Sequence, residues 1–178
     1  KAYLCRHHID EGELFKFSSG FYYKITYGLA KNIIVVSRNA MNYMIEKERI
    51  PASKITHINL GYDFATYDEP DEVKSREIRS SYKADVLLLA VCRLNEFKRP
   101  DVCIKVVREL SGRGIDVQLI LLGRGERKEF LYRFAESLGV AEKVHMPGYV
   151  ANVMDYMKAV DFFVHPSVTE ASCVAVKE

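Results

Sequence analysis

The chain has 178 residues, 48% hydrophobic and 28% charged, which is enough apolar material for the core of one full domain or parts of two. Its 26 Lys+Arg nearly cancel 24 Asp+Glu, for a formal net charge of +2, so no overall field points to nucleic acid as a partner and any anion site must be local. The longest uninterrupted apolar run, Val86 to Cys92, is far short of the roughly 18 residues that cross a bilayer.

In chain order, Ala2 to Cys5 reads as the end of a strand, and the last residues read as the start of a helix. Both ends are therefore expected to be cuts in a longer chain. No charged segment followed by an apolar one reads as a signal peptide. The aromatic residues between Phe15 and Tyr27, with Lys16 and Lys24, read as a core helix, with a membrane-facing or acceptor-facing patch as the alternative. Strands are expected at Ile33 to Val36 and Ile55 to Asn59, flanking a helix over Arg38 to Arg49 with Met41, Met44 and Ile45 toward the core. Residues 1–65 thus make about half of a domain. Residues 66–82, acidic around Asp68-Glu-Pro-Asp-Glu72 and broken by Pro70, read as a linker.

Residues 83–178 repeat a βα unit, in which a short aliphatic run ends in small or charged residues and a helix-period pattern follows. The runs are Val86 to Val91, Val117 to Leu122, Val144 to Met146 and Phe162 to Val164. Between them lie a helix from Pro100 stopped by Gly112 and Gly114, one carrying Phe130, Leu131, Phe134, Ala135 and Leu138, and a short one over 151–159. Nearly all-apolar strands separated by helices predict an α/β fold with a parallel sheet covered on both faces. Cys5, Cys92, Cys103 and Cys173 form no C-x-x-C pair, so neither a disulfide framework nor a zinc site follows, and a reducing cytoplasmic setting is the expectation.

Ligands of open parallel sheets bind beyond the carboxyl ends of the strands. Those ends carry Arg93 and Lys98 after the first strand, Gly123-Arg-Gly125 after the second, Gly148-Tyr149 after the third and His165-Pro-Ser167 leading to Glu170 after the fourth. Arg93 and Lys98, a planar fork and a mobile point charge, suit a diphosphate, and a solvated surface pair is the alternative. Gly123-Arg-Gly125 fails the dinucleotide fingerprint because Lys128 stands at the third glycine position, which argues against a dehydrogenase. Glu170 and Glu178 are acceptor-only groups suited to sugar hydroxyls if a helix starts near Ser172 or Cys173. Two alternatives stand beside that: Ser167-Val-Thr-Glu170 also fits a capping box, and Glu178 fits an ordinary surface position.

Taken together, several segments resemble the retaining GT-B glycosyltransferases of the group 1 (family 4) type. They are Val91-Cys-Arg93-Leu94 with Lys98, Leu119-Ile-Leu-Leu-Gly123-Arg-Gly125, Leu138-Gly-Val with Val144-His-Met-Pro-Gly148, and Ala159-Val-Asp-Phe-Phe-Val-His-Pro-Ser167 leading to Glu170-x7-Glu178. In the first part, Ile34-Val-Val-Ser37 and Ile55-Thr-His-Ile-Asn-Leu-Gly61-Tyr-Asp63 match as well.

The resemblance implies two Rossmann-like domains, both incomplete in this fragment: residues 1–65 the end of the acceptor-side domain, 66–82 a linker, and 83–178 a truncated donor-binding domain. It further implies transfer of a sugar from a nucleotide sugar (a UDP- or GDP-sugar) to a hydroxyl acceptor, in glycan, lipopolysaccharide or glycolipid synthesis. No cofactor and no metal are expected, and no D-x-D motif occurs in the chain. By resemblance, Arg93 and Lys98 hold and stabilise the departing diphosphate, Glu170 binds the donor sugar, Glu178 the ribose, and Gly123, Gly125, Gly148 and Tyr149 lie near the nucleoside. Residues Ala171, Ser172, Cys173 and Val174 complete the donor loop. On the acceptor side, one of His7 and His8, with His8 the choice, takes the place of a family histidine facing the reacting sugar. His57, His145 and His165 read as packed at strand ends, and adjacent His7, His8 and Asp10 make a poor metal set.

A cytoplasmic location follows, and peripheral contact with the inner membrane face, common in the family for lipid-linked acceptors, is left open. The chain departs from the family at Ala171 and Cys173, which replace glycines, and at Arg99, which replaces the glycine after the lysine. Ala171 and Cys173 motivate the alternative of a non-catalytic nucleotide-binding or scaffold protein of the same fold, and a GT-B-like sugar-nucleotide epimerase is a third reading.

Overall fold

Each aliphatic run that reads as a strand forms one. The structure is a computed structural model that describes residues 3–6, 25–61, 63, 69–168, 170, 173 and 175–176. The chain divides into two units, Lys1–Asp63 with Thr169–Val174, and Phe64–Val168 with Ala175–Glu178.

In the first unit, β1 (Tyr3–Arg6), β2 (Asn32–Val35) and β3 (Ile55–His57) form a parallel sheet in the order β1-β2-β3. Helix α1 (Arg38–Glu46) starts from Ser37, whose hydroxyl accepts the Ala40 N–H at 3.1 Å and so satisfies one of the free donors of the first turn. Ile33, Val35, Ala40, Met44 and Ile55 close the core, with Tyr27 and Ala30 buried beside them. Residues 25–29 are helical, and Lys54 Nζ donates to the carbonyls of Tyr27 and Gly28 at 2.5 and 2.9 Å, a cation where a helix leaves unpaired acceptors. Tyr27 thus belongs to a core, while the rest of the aromatic segment lies outside the described residues.

In the second unit, β4 (Val86–Val91), β5 (Val117–Leu122), β6 (Val144–Gly148) and β7 (Phe162–Phe163) form an all-parallel sheet in the order β6-β5-β4-β7. Period-2 alternation splits its buried residues between two faces. Leu88, Ala90, Leu119 and Leu121 pack with Cys103, Ile104 and Val107 of α3 (Pro100–Gly112) and Leu131 and Ala135 of α4 (Lys128–Ser137). Leu87, Leu89, Ile120 and Leu122 pack on the other side with Val153, Tyr156 and Met157 of α5 (Val153–Ala159). Each such buried leucine or isoleucine contributes about 2 kcal/mol, which is why both faces hold their helices.

Within residues 66–82, read as a linker, the second half is helical. Glu72–Ser81 form a helix, α2. Only Val73 and Ile78 are apolar in it, so no hydrophobic period announced it. Its ends are set by polar groups instead. Asp71 caps it by accepting the N–H of Val73 at 2.9 Å and of Lys74 at 3.2 Å, and these bonds, that to Lys74 first, hold its carboxyl below the usual value. The Asp71 N–H in turn donates to Asp155 of α5 at 2.7 Å, Asp155 also accepts Asn152 Nδ2 at 3.1 Å, and Lys158 pairs with Glu72. Other elements end earlier than expected: α1 at Glu46, β2 at Val35, β3 at His57 and β7 at Phe163.

Candidate functional site

The strand order places a topological switch point between β4 and β7, because α3 leads from β4 toward β5 while β7 lies on β4's other side. Crevices outside such points are where open α/β sheets bind ligands. Asp161 fixes that adjacency at the opposite end of the strands. Its carboxylate accepts the Leu87 N–H at 2.7 Å and its own N–H donates to the Leu87 carbonyl at 3.0 Å, with Arg79 3.4 Å from the same carboxylate.

At the carboxyl rim, the four loops are joined side by side by main-chain hydrogen bonds that follow the strand order. The Gly123 N–H after β5 donates to the Gly148 carbonyl of β6 at 2.8 Å. Leu94 after β4 donates to the Arg124 carbonyl at 3.0 Å and accepts the Arg127 N–H at 3.1 Å. Val168 after β7 donates to the Phe97 carbonyl at 3.1 Å. The loop carrying Arg93 and Lys98 is therefore held from both sides, and its own fold is tightened by Asn95, whose side chain accepts the Lys98 N–H at 3.1 Å.

Three residues, Leu94, Gly123 and Gly125, do the positioning. Leu94 is fully buried in the core of the second unit, so it pins the loop into the domain while Arg93, its neighbour, stays exposed. Gly125 and Gly123 meet this loop: a Cβ on Gly125 would strike the Leu94 backbone, and one on Gly123, at φ +133, would strike the Cys92 carbonyl. The two glycines thus have a reason to be glycine that involves no ligand, namely backbone laid against backbone. The sequence signal for the burial of Leu94 was its place just after the uninterrupted apolar run Val86 to Cys92.

The rim is rich in cations. Arg93 and Arg124 are exposed, and Lys98, Arg99 and Arg127 are half-buried. The Arg124 guanidinium lies 5.7 Å from the centre of the exposed Tyr149 ring, and Arg127 lies 4.2 Å from that of Phe130, both within the range of cation–π attraction. Arg99 forks onto Asp101 at 3.2 and 3.3 Å, which holds its guanidinium even more firmly protonated. α3 and α4 both start from this rim and neither uses a side-chain cap, so their positive ends favour anions there.

Of the residues expected in the site, Arg93, Lys98, Gly123, Gly125, Gly148 and Tyr149 are brought together on these interlocked loops. Glu170 and Cys173 are described and half-buried, and Cys173 is not in a disulfide. His7, His8, Ala171, Ser172, Val174 and Glu178 lie outside the described residues, as does most of the helix expected near Ser172. The capping-box alternative at Ser167 is not what forms, because Ser167 Oγ has no hydrogen-bond partner. His145 sits within β6, its ring 4.8 Å from that of Tyr82 and bonded to Gln118 at 2.8 Å, and burial lowers its pKa. His165 stacks 6.3 Å from Phe163. No helix among the described residues is long and apolar enough to cross a membrane.

The chain has known relatives in sequence and in fold. Residues 71–178 match the family model for glycosyl transferases group 1. An N-acetylgalactosamine-N,N'-diacetylbacillosaminyl-diphospho-undecaprenol 4-alpha-N-acetylgalactosaminyltransferase of Campylobacter jejuni is 33% identical over 86 residues, 48% of this chain and 23% of its own. An alpha-D-kanosaminyltransferase of Streptomyces kanamyceticus is 23% identical over 125 residues, 69% of this chain and 32% of its own. Among solved structures, Anabaena Alr3699/HepE in complex with UDP and glucose superposes with a TM-score of 0.80 at 19% identity, covering 94% of this chain and 46% of that one. The chain therefore spans less than half the length of each of these proteins.

Proposed function

The chain belongs to the group 1 glycosyl transferases and has their GT-B type of fold, and from that premise we propose that the carboxyl rim of its second unit holds the diphosphate of a nucleotide-sugar donor. The observation that carries the reading is the linked set of loops around the β4–β7 switch point, which presents Arg93 and Lys98 on a backbone fastened at Leu94 and Phe97. As the bond between the sugar's anomeric carbon and the diphosphate breaks, negative charge grows on the phosphate oxygens. A guanidinium and an ammonium already fixed beside them stabilise that charge without reorganisation. The acceptor hydroxyl oxygen bonds to the same carbon and passes its proton to the departing diphosphate.

On this reading the transfer retains anomeric configuration and needs no divalent cation, since Arg93 and Lys98 supply the positive charge. Glu170 takes donor-sugar hydroxyls, Glu178 the ribose, the loop of Gly148 and Tyr149 the nucleoside, with Ala171, Ser172, Cys173 and Val174 lining the donor loop. His8, or its neighbour His7, faces the reacting sugar from the acceptor side, residues 1–65 being the end of the acceptor-side domain. The donor is a UDP- or GDP-sugar and the acceptor a hydroxyl of a glycan or glycolipid, as in lipopolysaccharide or glycolipid synthesis, from a cytoplasmic position in peripheral contact with the inner membrane face. The Campylobacter relative, named for transfer to a diphospho-undecaprenol-linked sugar, supports the glycolipid acceptor. The complex of the Anabaena protein with UDP and glucose supports the nucleotide-sugar donor.

Titration of the full chain with UDP, GDP and ADP in EDTA tests the reading. One nucleotide binds, and Arg93→Ala weakens it at least tenfold, the scale of a lost charge-assisted bond. A folded chain that binds none of the three overturns the donor site and leaves the scaffold alternative, which Ala171 and Cys173 in place of family glycines favour.

A further inference from the structure

We propose that Ser167 is a further binding residue of this site, its hydroxyl donating a hydrogen bond to a phosphate oxygen of the bound donor; the proposal rests on the donor-site reading above. Among the described residues, two buried side-chain polar atoms lack a hydrogen-bond partner, His57 Nε2 and Ser167 Oγ. His57 ends β3 in the first unit. Ser167 stands at the carboxyl end of β7, on the loop that forms one side of the switch point.

A buried hydroxyl left unpaired costs about 1–3 kcal/mol, and native proteins rarely tolerate one without a reason. The backbone is anchored three residues before Ser167, where Val164 N–H donates to Leu89 at 2.8 Å, and one residue after it, where Val168 N–H donates to Phe97 at 3.1 Å. The segment joined to it through Phe97 continues directly into Lys98 and Arg99 and begins at Arg93. A hydroxyl can donate or accept, and its surroundings decide which is used. The loop bonded to it through Phe97 carries Arg93, Lys98 and Arg99, so the partner inferred for the hydroxyl is an anionic oxygen, to which it donates. The ligand class is a diphosphate, and the missing partner of Ser167 is one of its oxygens.

The test is calorimetric titration of the full chain and of Ser167→Ala and Ser167→Thr with UDP, GDP, ADP, inorganic pyrophosphate and the three free nucleosides. The alanine variant is expected to lose about tenfold in affinity for pyrophosphate and for the nucleotide that binds, the loss of one bond to a charged group. Its nucleoside affinity and melting temperature stay at or above wild type, because the hydroxyl bonds nothing in the free protein, and threonine restores most of the loss. Unchanged pyrophosphate and nucleotide binding by Ser167→Ala overturns the proposal while leaving the donor site standing. An equal loss for the nucleoside, or a lowered melting temperature without ligand, also overturns it, by assigning the hydroxyl to the base or to the fold. If the wild type binds none of these probes, the donor-site reading fails and this proposal with it.

Discussion

The Leu94 backbone occupies the space that a Cβ on Gly125 would need. The turn after β5 can therefore lie against the turn after β4 only while residue 125 is glycine, and the hydrogen bonds of Leu94 to Arg124 and Arg127 depend on that approach.

Gly125→Ala is expected to force the two loops apart, since the atoms met are main chain and cannot rotate away. The cost is about 1–3 kcal/mol, that of inserting a methyl into a filled space, and nucleotide affinity falls with it because Arg93 is displaced. Gly123→Ala behaves similarly, with the strain of φ +133 added to its collision with Cys92. Gly148→Ala has open space around it and carries only the strain of φ +99, so its loss is smaller. Urea denaturation alongside nucleotide titration checks the ranking; a Gly125→Ala protein as stable and as tight-binding as wild type contradicts it.

Arg99 occupies left-handed backbone, φ 50 and ψ 44, just ahead of α3. This is the position where the resembled family carries glycine, and the backbone retains the conformation that glycine suits. Arg99→Gly relieves the strain but loses the fork onto Asp101, so it should melt close to wild type. Arg99→Ala keeps the strain and loses the fork, and should melt about 3 °C below the glycine variant. Thermal melts that rank alanine at or above glycine would contradict this account.

His145 predicts an acid limb in stability. Burial lowers its pKa below the ordinary histidine value, so the folded chain binds this proton less readily than the unfolded chain. Between the two pKa values the unfolded state carries the extra proton, and stability rises with pH. The contribution is complete above pH 6.5 and is lost as pH falls from there through the folded value. His145→Gln should flatten the stability profile between pH 7 and pH 5; an equally steep limb in that variant would assign the effect elsewhere.

The strands β4 and β5 and the helix α3 could be read from the chain with bounds that the structure reproduces, because aliphatic periodicity and the glycines ending a helix are local properties. The cations of the rim could be read the same way, since a parallel βα repeat assigns the residues after each strand to one end of the sheet. Helix α2 was not legible: its partners Asp155 and Lys158 come from far along the chain, and its own residues repeat no apolar period.

By itself, then, the sequence determined the parallel sheets, most of their helices and which residues reach the carboxyl rim, since those follow from patterns a few residues long. Only the tertiary structure decided that β7 lies beside β4, that Leu94 is a buried pin, that Gly123 and Gly125 face a neighbouring loop and that Ser167 is left without a partner. Each of these depends on bonds between distant segments, as between Leu87 and Asp161, 74 residues apart. No local period encodes such a pairing, and it exists only once the sheet has chosen its order.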